Sequence, residues 1–194
     1  FVSLRAYDTK QNIFVELSND DCNFGYRDSI FKHEIGRYII VSVTIELSKI
    51  PKPVLLYKPL DSLLSKENVL PKDVRELVVS VRTEKLPDYK IHPNAGSFFK
   101  NPVVNKDVAE SIKAKHKEAP LIEQGDNFKI PAAWLIEHVA NMKGVRIGGI
   151  GTWPNQPLVI VNYGNATIDD LNFFTNQIKK RIYEDVGINL EQEV

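Results

Sequence analysis

The sequence predicts an α+β protein, with a β-rich first part and a second part in which helices and strands alternate. Three observations support this fold class. Residues 37–47 alternate between apolar and polar side chains, which is the period of a strand with one buried face. Residues 168–186 place apolar side chains three and four positions apart, as an amphipathic helix does. Of the 194 residues, 43% are hydrophobic and 26% are charged, which is ordinary for a globular protein with a buried core.

The first part contains the predicted strands. Two short β-rich runs, residues 1–7 and 12–17, precede the alternating run, and the polar residues between them fit a hairpin connection. A helix is predicted over residues 72–85, and Pro87 marks its end. We therefore expect two domains that meet near Pro87, over residues 1–86 and 87–194.

The second part contains three predicted helices, each with an identifiable start. Asn105 caps a helix that runs to residue 117. Pro131 lies in the first turn of a second helix, which Gly144 ends. Thr167 caps the amphipathic helix described above. Two short strands are predicted between the second and third helices, over residues 145–147 and 158–162.

Composition and residue spacing exclude several functional classes. The 25 Lys and Arg balance the 25 Asp and Glu, so no net charge attracts the chain to nucleic acid or an anionic membrane. Cys22 is the single cysteine and the four histidines are scattered, so we expect neither an internal disulfide nor a metal site. No apolar run has the length of a membrane span and the start has no signal-peptide pattern, which indicates a cytosolic protein. Since the chain begins with a strand-like run and without Met, we expect it to be part of a longer protein.

Three segments contain residue types suited to ligand binding or proton transfer, and each has a simpler alternative. Arg27 lies among aromatic residues and can bind a carboxylate or phosphate, or it can stack on Tyr26 or pair with the adjacent aspartate. Ser97 lies in a small-residue segment that a ligand can approach, or in a plain loop anchored by the two phenylalanines that follow. Glu191 and Glu193 place two carboxylates on one strand face, which serves acid–base chemistry or simply faces solvent.

A glycine cluster at residues 148–151 is a further candidate for ligand binding. It lacks the spacing of a phosphate-binding loop and does not open a predicted helix. We therefore expect these glycines to serve close packing or a turn. No nucleophile elbow and no dinucleotide fingerprint occurs in the sequence either, so the residues alone identify no reaction.

The three segments together resemble the UDP-N-acetylenolpyruvoylglucosamine reductase family. Residues 26–32 match its Y-R-x-S-x-F-[KR] motif, residues 96–102 match G-S-x-F-[KR]-N-P, and residues 190–194 match the start of L-x-x-E-V-[RK]. The order and spacing also fit, over essentially the whole chain. The resemblance implies the second lobe of a vanillyl-alcohol-oxidase-type FAD-binding domain over residues 1–86. An α/β UDP-sugar-binding domain, with its last strand truncated, is implied over residues 87–194.

The resemblance also implies a reaction and the residues that perform it. In this family NADPH reduces FAD, and the flavin passes a hydride to the enolpyruvyl ether of UDP-N-acetylglucosamine enolpyruvate, which gives UDP-N-acetylmuramate for peptidoglycan. Ser97 matches the proton donor, Glu193 the carboxylate that completes the acid group, and Arg27 the arginine near the flavin and the enolpyruvyl group. Tyr26 lies beside Arg27 as a further cofactor contact. The resemblance implies a monomer in the bacterial cytoplasm, without nucleic acid and without membrane insertion.

The resemblance implies further substrate contacts and reveals two departures from the family pattern. Ile122 stands where long-loop members carry a substrate-covering tyrosine. The glycine- and serine-rich loop that binds the FAD pyrophosphate has no match, so we expect the chain alone to be inactive. A redox-inactive nucleotide-sugar-binding module is therefore the alternative function, and an unrelated scaffold whose motifs match by chance is a third. The residues that match contacts to the uridine diphosphate are Lys85, Asn101, Tyr57 and Gln156.

Overall fold

The computed structural model describes all 194 residues and divides them into two compact units, residues 1–54 and 55–194. Both units combine helices with antiparallel strands, so the predicted mixture of α and β structure is confirmed. The sequence predicts a domain boundary near Pro87, whereas the two compact units divide after residue 54. The assignment of residues 1–86 and 87–194 to two functional domains stays a prediction.

The first unit is built on a three-stranded antiparallel sheet. Its strands are β1 (Ser3–Asp8), β2 (Ile13–Ser18) and β3 (Tyr38–Thr44), and β1 lies between the other two. Two short helices, α1 (Asn19–Cys22) and α2 (Ile30–His33), separate β2 from β3 in the chain. The hairpin of β1 and β2 and the third strand are therefore confirmed as the sequence predicts them.

The prediction that β3 buries one of its faces is wrong. Ile39, Val41 and Val43 lie on the expected apolar face, and they are 58%, 56% and 50% exposed. Because α1 and α2 have four residues each, the unit contains too little structure to cover both faces of its sheet. The buried core of this unit consists of Leu4, Ala6 and Cys22.

The second unit contains two antiparallel sheets. The strands of the larger sheet are β4 (Asn94–Ser97), β8 (Arg146–Ile147), β9 (Ile150–Trp153) and β10 (Gln156–Asn162). Their order is β4-β10-β9-β8. The strands of the smaller sheet are β5 (Val103–Val104), β6 (Ile122–Gln124) and β7 (Asn127–Lys129). Their order is β5-β7-β6.

The helices of the second unit are α3 (Pro71–Lys85), α4 (Lys106–Lys115), α5 (Ala132–Trp134) and α6 (Ile168–Val186), with a 3₁₀ helix at Leu60–Ser65. The longest of them, α6, confirms the predicted amphipathic pattern. Phe174, Ile178 and Ile182 on its inner face are completely buried. They belong to the main hydrophobic core, together with Phe99 and Leu135. The apolar period of the sequence therefore corresponds to the buried face of this helix.

The predicted helix caps are confirmed. The Thr167 hydroxyl accepts a hydrogen bond of 3.2 Å from the Asp170 N–H, and the Asp170 carboxylate accepts one of 2.8 Å from the Thr167 N–H. Gly187 follows α6 with a φ of 69°, the left-handed conformation that commonly ends a helix. The Asn105 side chain caps α4 by accepting from the Val108 N–H at 3.0 Å.

The helix predicted to end at Gly144 is shorter than expected. After α5 the chain forms a π-helical turn at Leu135–Val139, closed by a 2.9 Å hydrogen bond from the Ala140 N–H to the Leu135 carbonyl. Asn141 then adopts a left-handed backbone with a φ of 53°. Asparagine tolerates this conformation better than most residues, so the helix stops there instead of continuing to Gly144.

Candidate functional site

Ser97 and Glu193, two of the predicted catalytic residues, lie in neighbouring extended segments. Ser97 ends β4, where it is in register with Val159 of β10. Beyond β4 the chain pairs with its own last residues, and the Glu193 N–H donates to the Phe98 carbonyl at 2.8 Å. Ser97 is therefore one residue away from the position that binds the backbone of Glu193.

The residues before Ser97 determine how its hydroxyl is presented. Gly96 has a φ of +79°, which residues with a Cβ rarely adopt. The Asn94 side chain accepts from the Gly96 N–H at 3.0 Å and donates to the His92 carbonyl at 2.8 Å. Ser97 itself is exposed. The segment thus holds a solvent-accessible hydroxyl on a well-defined backbone.

The two phenylalanines after Ser97 anchor this segment in the core. Phe98 and Phe99 are 8% and 1% exposed, and their rings meet edge to face with centroids 5.0 Å apart. The simpler alternative for this segment, a loop anchored by a Phe pair, is therefore observed. It is compatible with a catalytic role because the anchor and the hydroxyl belong to different residues.

Three of the four predicted substrate-binding residues line one cavity of about 310 Å³ in the second unit. Tyr57 lies just before the 3₁₀ helix, Lys85 is the last residue of α3, and Gln156 is the first residue of β10. The fold thus brings together residues that are distant in the sequence. The apolar part of the cavity wall consists of Pro59, Leu60, Val78, Val81 and Leu86.

The polar part of this cavity is positively charged. Lys58 and Arg82 line it together with Lys85, and no carboxylate does. None of these three cations forms an ion pair or a side-chain hydrogen bond with any of the 194 residues. Unpaired cations on one concave surface attract an anionic ligand, because their mutual repulsion is relieved when the anion binds.

Lys58 and Arg82 are missed by the sequence analysis. Arg82 lies three residues before Lys85, and this helical spacing places both side chains on one face of α3. That spacing is the signal that could have identified Arg82. Lys58 follows Tyr57 in a loop, where no periodicity indicates which way a side chain points.

Two other predicted positions lie away from this cavity. Asn101 is half-buried, and its side-chain oxygen accepts from the Ala132 N–H at 2.8 Å, which holds the start of α5. Ile122 begins β6 and is 47% exposed, with an apolar side chain that offers no hydrogen bond. The contact of Asn101 with the substrate stays a prediction. The loss of a substrate-covering side chain at Ile122 also stays a prediction.

Arg27 belongs to the first unit, where it occupies a tight turn. The Gly25 N–H donates to the Asp28 carbonyl at 3.0 Å across this turn. Arg27 has a φ of 56°, which is uncommon for a residue with a long side chain. Its guanidinium carbon lies 5.9 Å from the centre of the exposed Tyr26 ring, which is consistent with the simpler alternative of stacking on Tyr26. Strained conformations of this kind occur preferentially at functional sites, which keeps Arg27 a candidate.

In the glycine cluster at residues 148–151, Gly149 and Gly151 pack closely against backbone, and Gly148 lies in a turn with a φ of 59° and open space around it, so the predicted packing and turn are both observed. A Cβ added to Gly149 would lie 2.4 Å from the Gly164 carbonyl oxygen, and one added to Gly151 would lie 2.5 Å from the Val145 carbonyl oxygen. Both distances are too short for any side chain. The space at Gly149 and Gly151 is therefore filled by the protein's own backbone and is not available to a phosphate.

Among the 194 residues, no three His, Cys, Asp or Glu side chains are grouped closely enough to hold a metal ion. Burial, with a contribution from the Asp21 carboxylate, raises the pKa of the Cys22 thiol above its ordinary value, which makes it a poor nucleophile. No helix has the combination of length and apolar character needed to cross a membrane.

Comparison with known proteins adds an independent finding. The family model described as "UDP-N-acetylenolpyruvoylglucosamine reductase, C-terminal domain" matches residues 87–194. Relatives that carry the name UDP-N-acetylenolpyruvoylglucosamine reductase align over nearly the whole chain. That of Idiomarina loihiensis is 40% identical over 190 residues, which is 97% of this chain and 56% of the relative. That of Flavobacterium johnsoniae is 40% identical over 200 residues, covering 100% and 59%.

A solved structure supports the same fold. The UDP-N-acetylenolpyruvylglucosamine reductase of Thermus caldophilus superposes with a TM-score of 0.55 at 19% sequence identity, over 98% of this chain and 50% of that one. At this identity the likeness concerns the fold alone. The chain spans about half the length of the relatives it matches.

Proposed function

The chain belongs to the UDP-N-acetylenolpyruvoylglucosamine reductase family, and on this basis we propose that it is the C-terminal part of an oxidoreductase of peptidoglycan precursor synthesis. The proposed reaction is the NADPH- and FAD-dependent reduction of UDP-N-acetylglucosamine enolpyruvate to UDP-N-acetylmuramate, by a monomer in the bacterial cytoplasm. Residues 1–86 would complete a vanillyl-alcohol-oxidase-type FAD-binding domain, and residues 87–194 would bind the UDP-sugar. The observation that carries the proposal is the convergence of Tyr57, Lys85 and Gln156 on one cation-lined cavity.

The cavity suits the diphosphate and the uridine of this substrate. Each phosphate carries a negative charge, and Arg82 and Lys85 are unpaired cations one helical turn apart. Tyr57 adds an exposed aromatic ring that can cover a base or a sugar. Gln156 adds an amide that can both donate and accept hydrogen bonds. The residue types thus match the polar and the aromatic parts of a nucleoside diphosphate.

Ser97 would supply the proton that completes the reduction. When a hydride has added at C3 of the enolpyruvyl group, negative charge accumulates at C2 and its carboxylate, and protonation at C2 ends the reaction. The Ser97 hydroxyl is a weak acid, so it needs a strongly basic acceptor and neighbours that stabilise its conjugate base. Glu193 lies in the adjacent segment and would complete this acid group.

Arg27 and Tyr26 would contact the flavin and the reacting end of the substrate. Bound FAD would supply the hydride. A fixed guanidinium stabilises the negative charge that develops at C2, and the exposed Tyr26 ring offers a flat surface for an aromatic cofactor. These two residues fit the ring of FAD. Gly149 and Gly151 leave no space for its pyrophosphate.

A second function is favoured by that last observation. The cation-lined cavity lies wholly within residues 55–194, whereas backbone fills the space at Gly149 and Gly151 that a pyrophosphate would need. The chain alone would then bind a nucleotide sugar without redox activity. The visible absorption of the purified chain distinguishes the two functions, because only a flavoprotein is yellow.

The experiment that tests the cavity is calorimetric titration of the 194-residue chain with UDP. We expect Lys85→Gln to weaken UDP binding about tenfold or more, because a charge-assisted contact to a phosphate is lost. Arg75→Gln is the matched control: it removes one positive charge from the same helix at a position that does not line the cavity. We expect uridine, which has no phosphate, to bind with little difference between the variants.

Two results would contradict this proposal. The first is an unmodified chain to which UDP does not bind. The second is equal weakening by Lys85→Gln and Arg75→Gln, which would mean that only the overall charge of α3 matters. Circular dichroism of each variant shows whether the helix is retained.

A further inference from the structure

An ion pair links the two segments that carry the predicted proton donor and its carboxylate. The Lys100 ammonium pairs with the Glu191 carboxylate, and the Lys100 N–H donates to the Glu191 carbonyl at 2.9 Å. The Lys100 side chain is 20% exposed and that of Glu191 is 70% exposed. The two residues therefore contact each other through both side chain and backbone, across 91 positions of sequence.

This pair sets the register of a short ladder. Phe99 and Gln192 form an antiparallel bridge next to it, and the following backbone bond joins the Glu193 N–H to the Phe98 carbonyl at 2.8 Å. Ser97 precedes Phe98 directly. A slip of one residue in this ladder would change which residue lies opposite Glu193 and turn the Glu193 side chain to the other face.

The last residues of the chain are anchored by burial up to Leu190 and by polar contacts beyond it. Ile188 and Leu190 are 4% and 5% exposed, so burial anchors the segment up to that point. Gln192 and Val194 are exposed, and beyond Leu190 the segment is joined to residues 98–100 by the backbone bridge, the Glu193–Phe98 hydrogen bond and the Lys100–Glu191 ion pair. Glu191 is thus the first residue after the buried anchor, and its partner is mostly shielded from solvent.

We propose that Lys100 and Glu191 are positioning residues, which hold Glu193 in register beside Ser97. The effect of this alignment on turnover rests on the proposed function. The alignment of the two segments by the ion pair does not. Lys100 belongs to the segment that follows Ser97, and Glu191 belongs to the segment that contains Glu193. A charged contact between these two segments aligns the donor and the carboxylate without touching the substrate.

Hydrogen exchange of single amides in the 194-residue chain tests the structural part. We expect Glu191→Gln to accelerate exchange of the Glu193 amide about three- to tenfold, while the Ile178 amide in the core of α6 is unchanged. The reversed pair, Lys100→Glu with Glu191→Lys, should restore most of the protection. Glu110→Gln is the matched control, because it breaks an exposed 3.7 Å pair with Lys106 elsewhere in the unit.

The catalytic part is tested in the complete reductase that contains this chain, loaded with FAD. We expect Glu191→Gln to lower kcat for the enolpyruvyl substrate about three- to tenfold with KM and the NADPH step unchanged, and the reversed pair to recover kcat. Unchanged Glu193 exchange, or loss of protection throughout the core, would overturn the positioning role. If exchange responds as expected but the unmodified protein reduces no enolpyruvyl ether, the proposed function fails and the structural inference stands. Normal kcat in Glu191→Gln of an active reductase overturns the catalytic part alone.

Discussion

Ser97 presents an exposed hydroxyl one residue before the backbone contact to Glu193. In the FAD-loaded reductase we expect Ser97→Ala to slow reoxidation of the flavin by the enolpyruvyl substrate about 10²–10⁴-fold, because a general acid is lost. Reduction by NADPH should remain nearly unchanged, since the proton is needed only after hydride transfer. Stopped-flow measurement of the two half-reactions separates these effects.

Ser80→Ala provides the control for this variant, because Ser80 is exposed on α3 and lines no part of the cavity. It should leave both half-reactions unchanged. Equal slowing of both half-reactions in Ser97→Ala would contradict the assignment of Ser97 as proton donor. A lower melting temperature with normal kinetics would point to a role in the backbone of β4.

At the scale of residues, the motifs indicate which residues belong to the site but not which contacts they make within the protein. Ser97 and Glu193 were expected to act together, and the fold places them in neighbouring segments. The Asn101 side-chain oxygen accepts from the Ala132 N–H, which no motif predicted, and its contact to the substrate stays a prediction. The hydrogen bond to Ala132 depends on how the chain brings residues 101 and 132 together, and no local sequence pattern predicts that. Arg82 was missed because its role depends on a cavity formed with a distant loop.

At the scale of elements, α4 and α6 are joined through Asp185. Its carboxylate pairs with the Lys115 ammonium and lies 2.7 Å from His116 Nε2. The hydrogen bond from Lys115 lowers the pKa of Asp185, with a further contribution from His116 and against the effect of burial. A carboxyl whose pKa is lower in the folded state stabilises the fold above its ordinary pKa, and this stabilisation is lost as pH falls through the folded-state pKa.

We therefore expect Asp185→Asn to reduce the free energy of unfolding most at neutral pH. The difference from the unmodified chain should narrow as pH falls from the ordinary pKa of aspartate through the lower folded-state pKa of Asp185, below which both side chains are uncharged. Urea denaturation between neutral and strongly acidic pH measures it. Glu184→Gln, which removes an exposed i,i+4 pair with Lys180 on the same helix, is the control. A difference that does not vary with pH would argue against the charged contact.

Elements with many residues in a regular period were predictable, and short elements were not. The 19 residues of α6 and the seven of β3 gave clear periods and were confirmed as elements. The strands β5, β6 and β7 have two or three residues, which is too few to show alternation. The π-helical turn after α5 was also missed, because it arises from the backbone bond between Ala140 and Leu135 and not from side-chain spacing.

At the scale of the whole molecule, the regular spacing of apolar residues predicts an element but does not determine whether those residues are buried. The alternation in residues 37–47 correctly predicted the strand β3, but its apolar side chains remain exposed. Period depends on the sequence of one element, whereas burial depends on the elements that cover it. The same distinction applies to ligand binding: the cavity is assembled from residues 57–156 of one unit, and no single element contains it.

The purified 194-residue chain is expected to be colourless and to show no reductase activity when FAD and NADPH are added. Binding of FAD requires that its negatively charged pyrophosphate leave water, which is costly unless backbone N–H groups replace the lost hydration. The space at Gly149 and Gly151, where backbone could approach a phosphate, is closed by the carbonyl groups of Gly164 and Val145. Tyr26 and Arg27 alone would contact the flavin ring without holding the phosphates.

An absorption spectrum before and after gel filtration with excess FAD measures retention of the cofactor. A parallel titration with UDP serves as the control for folding, because the cation-lined cavity lies within residues 55–194 and needs no flavin. A chain that binds UDP but retains no FAD fits the nucleotide-sugar-binding alternative for the isolated polypeptide. Stoichiometric yellow FAD on these 194 residues would instead show that they hold the pyrophosphate at a site other than the glycine cluster, since Gly149 and Gly151 leave no space for it.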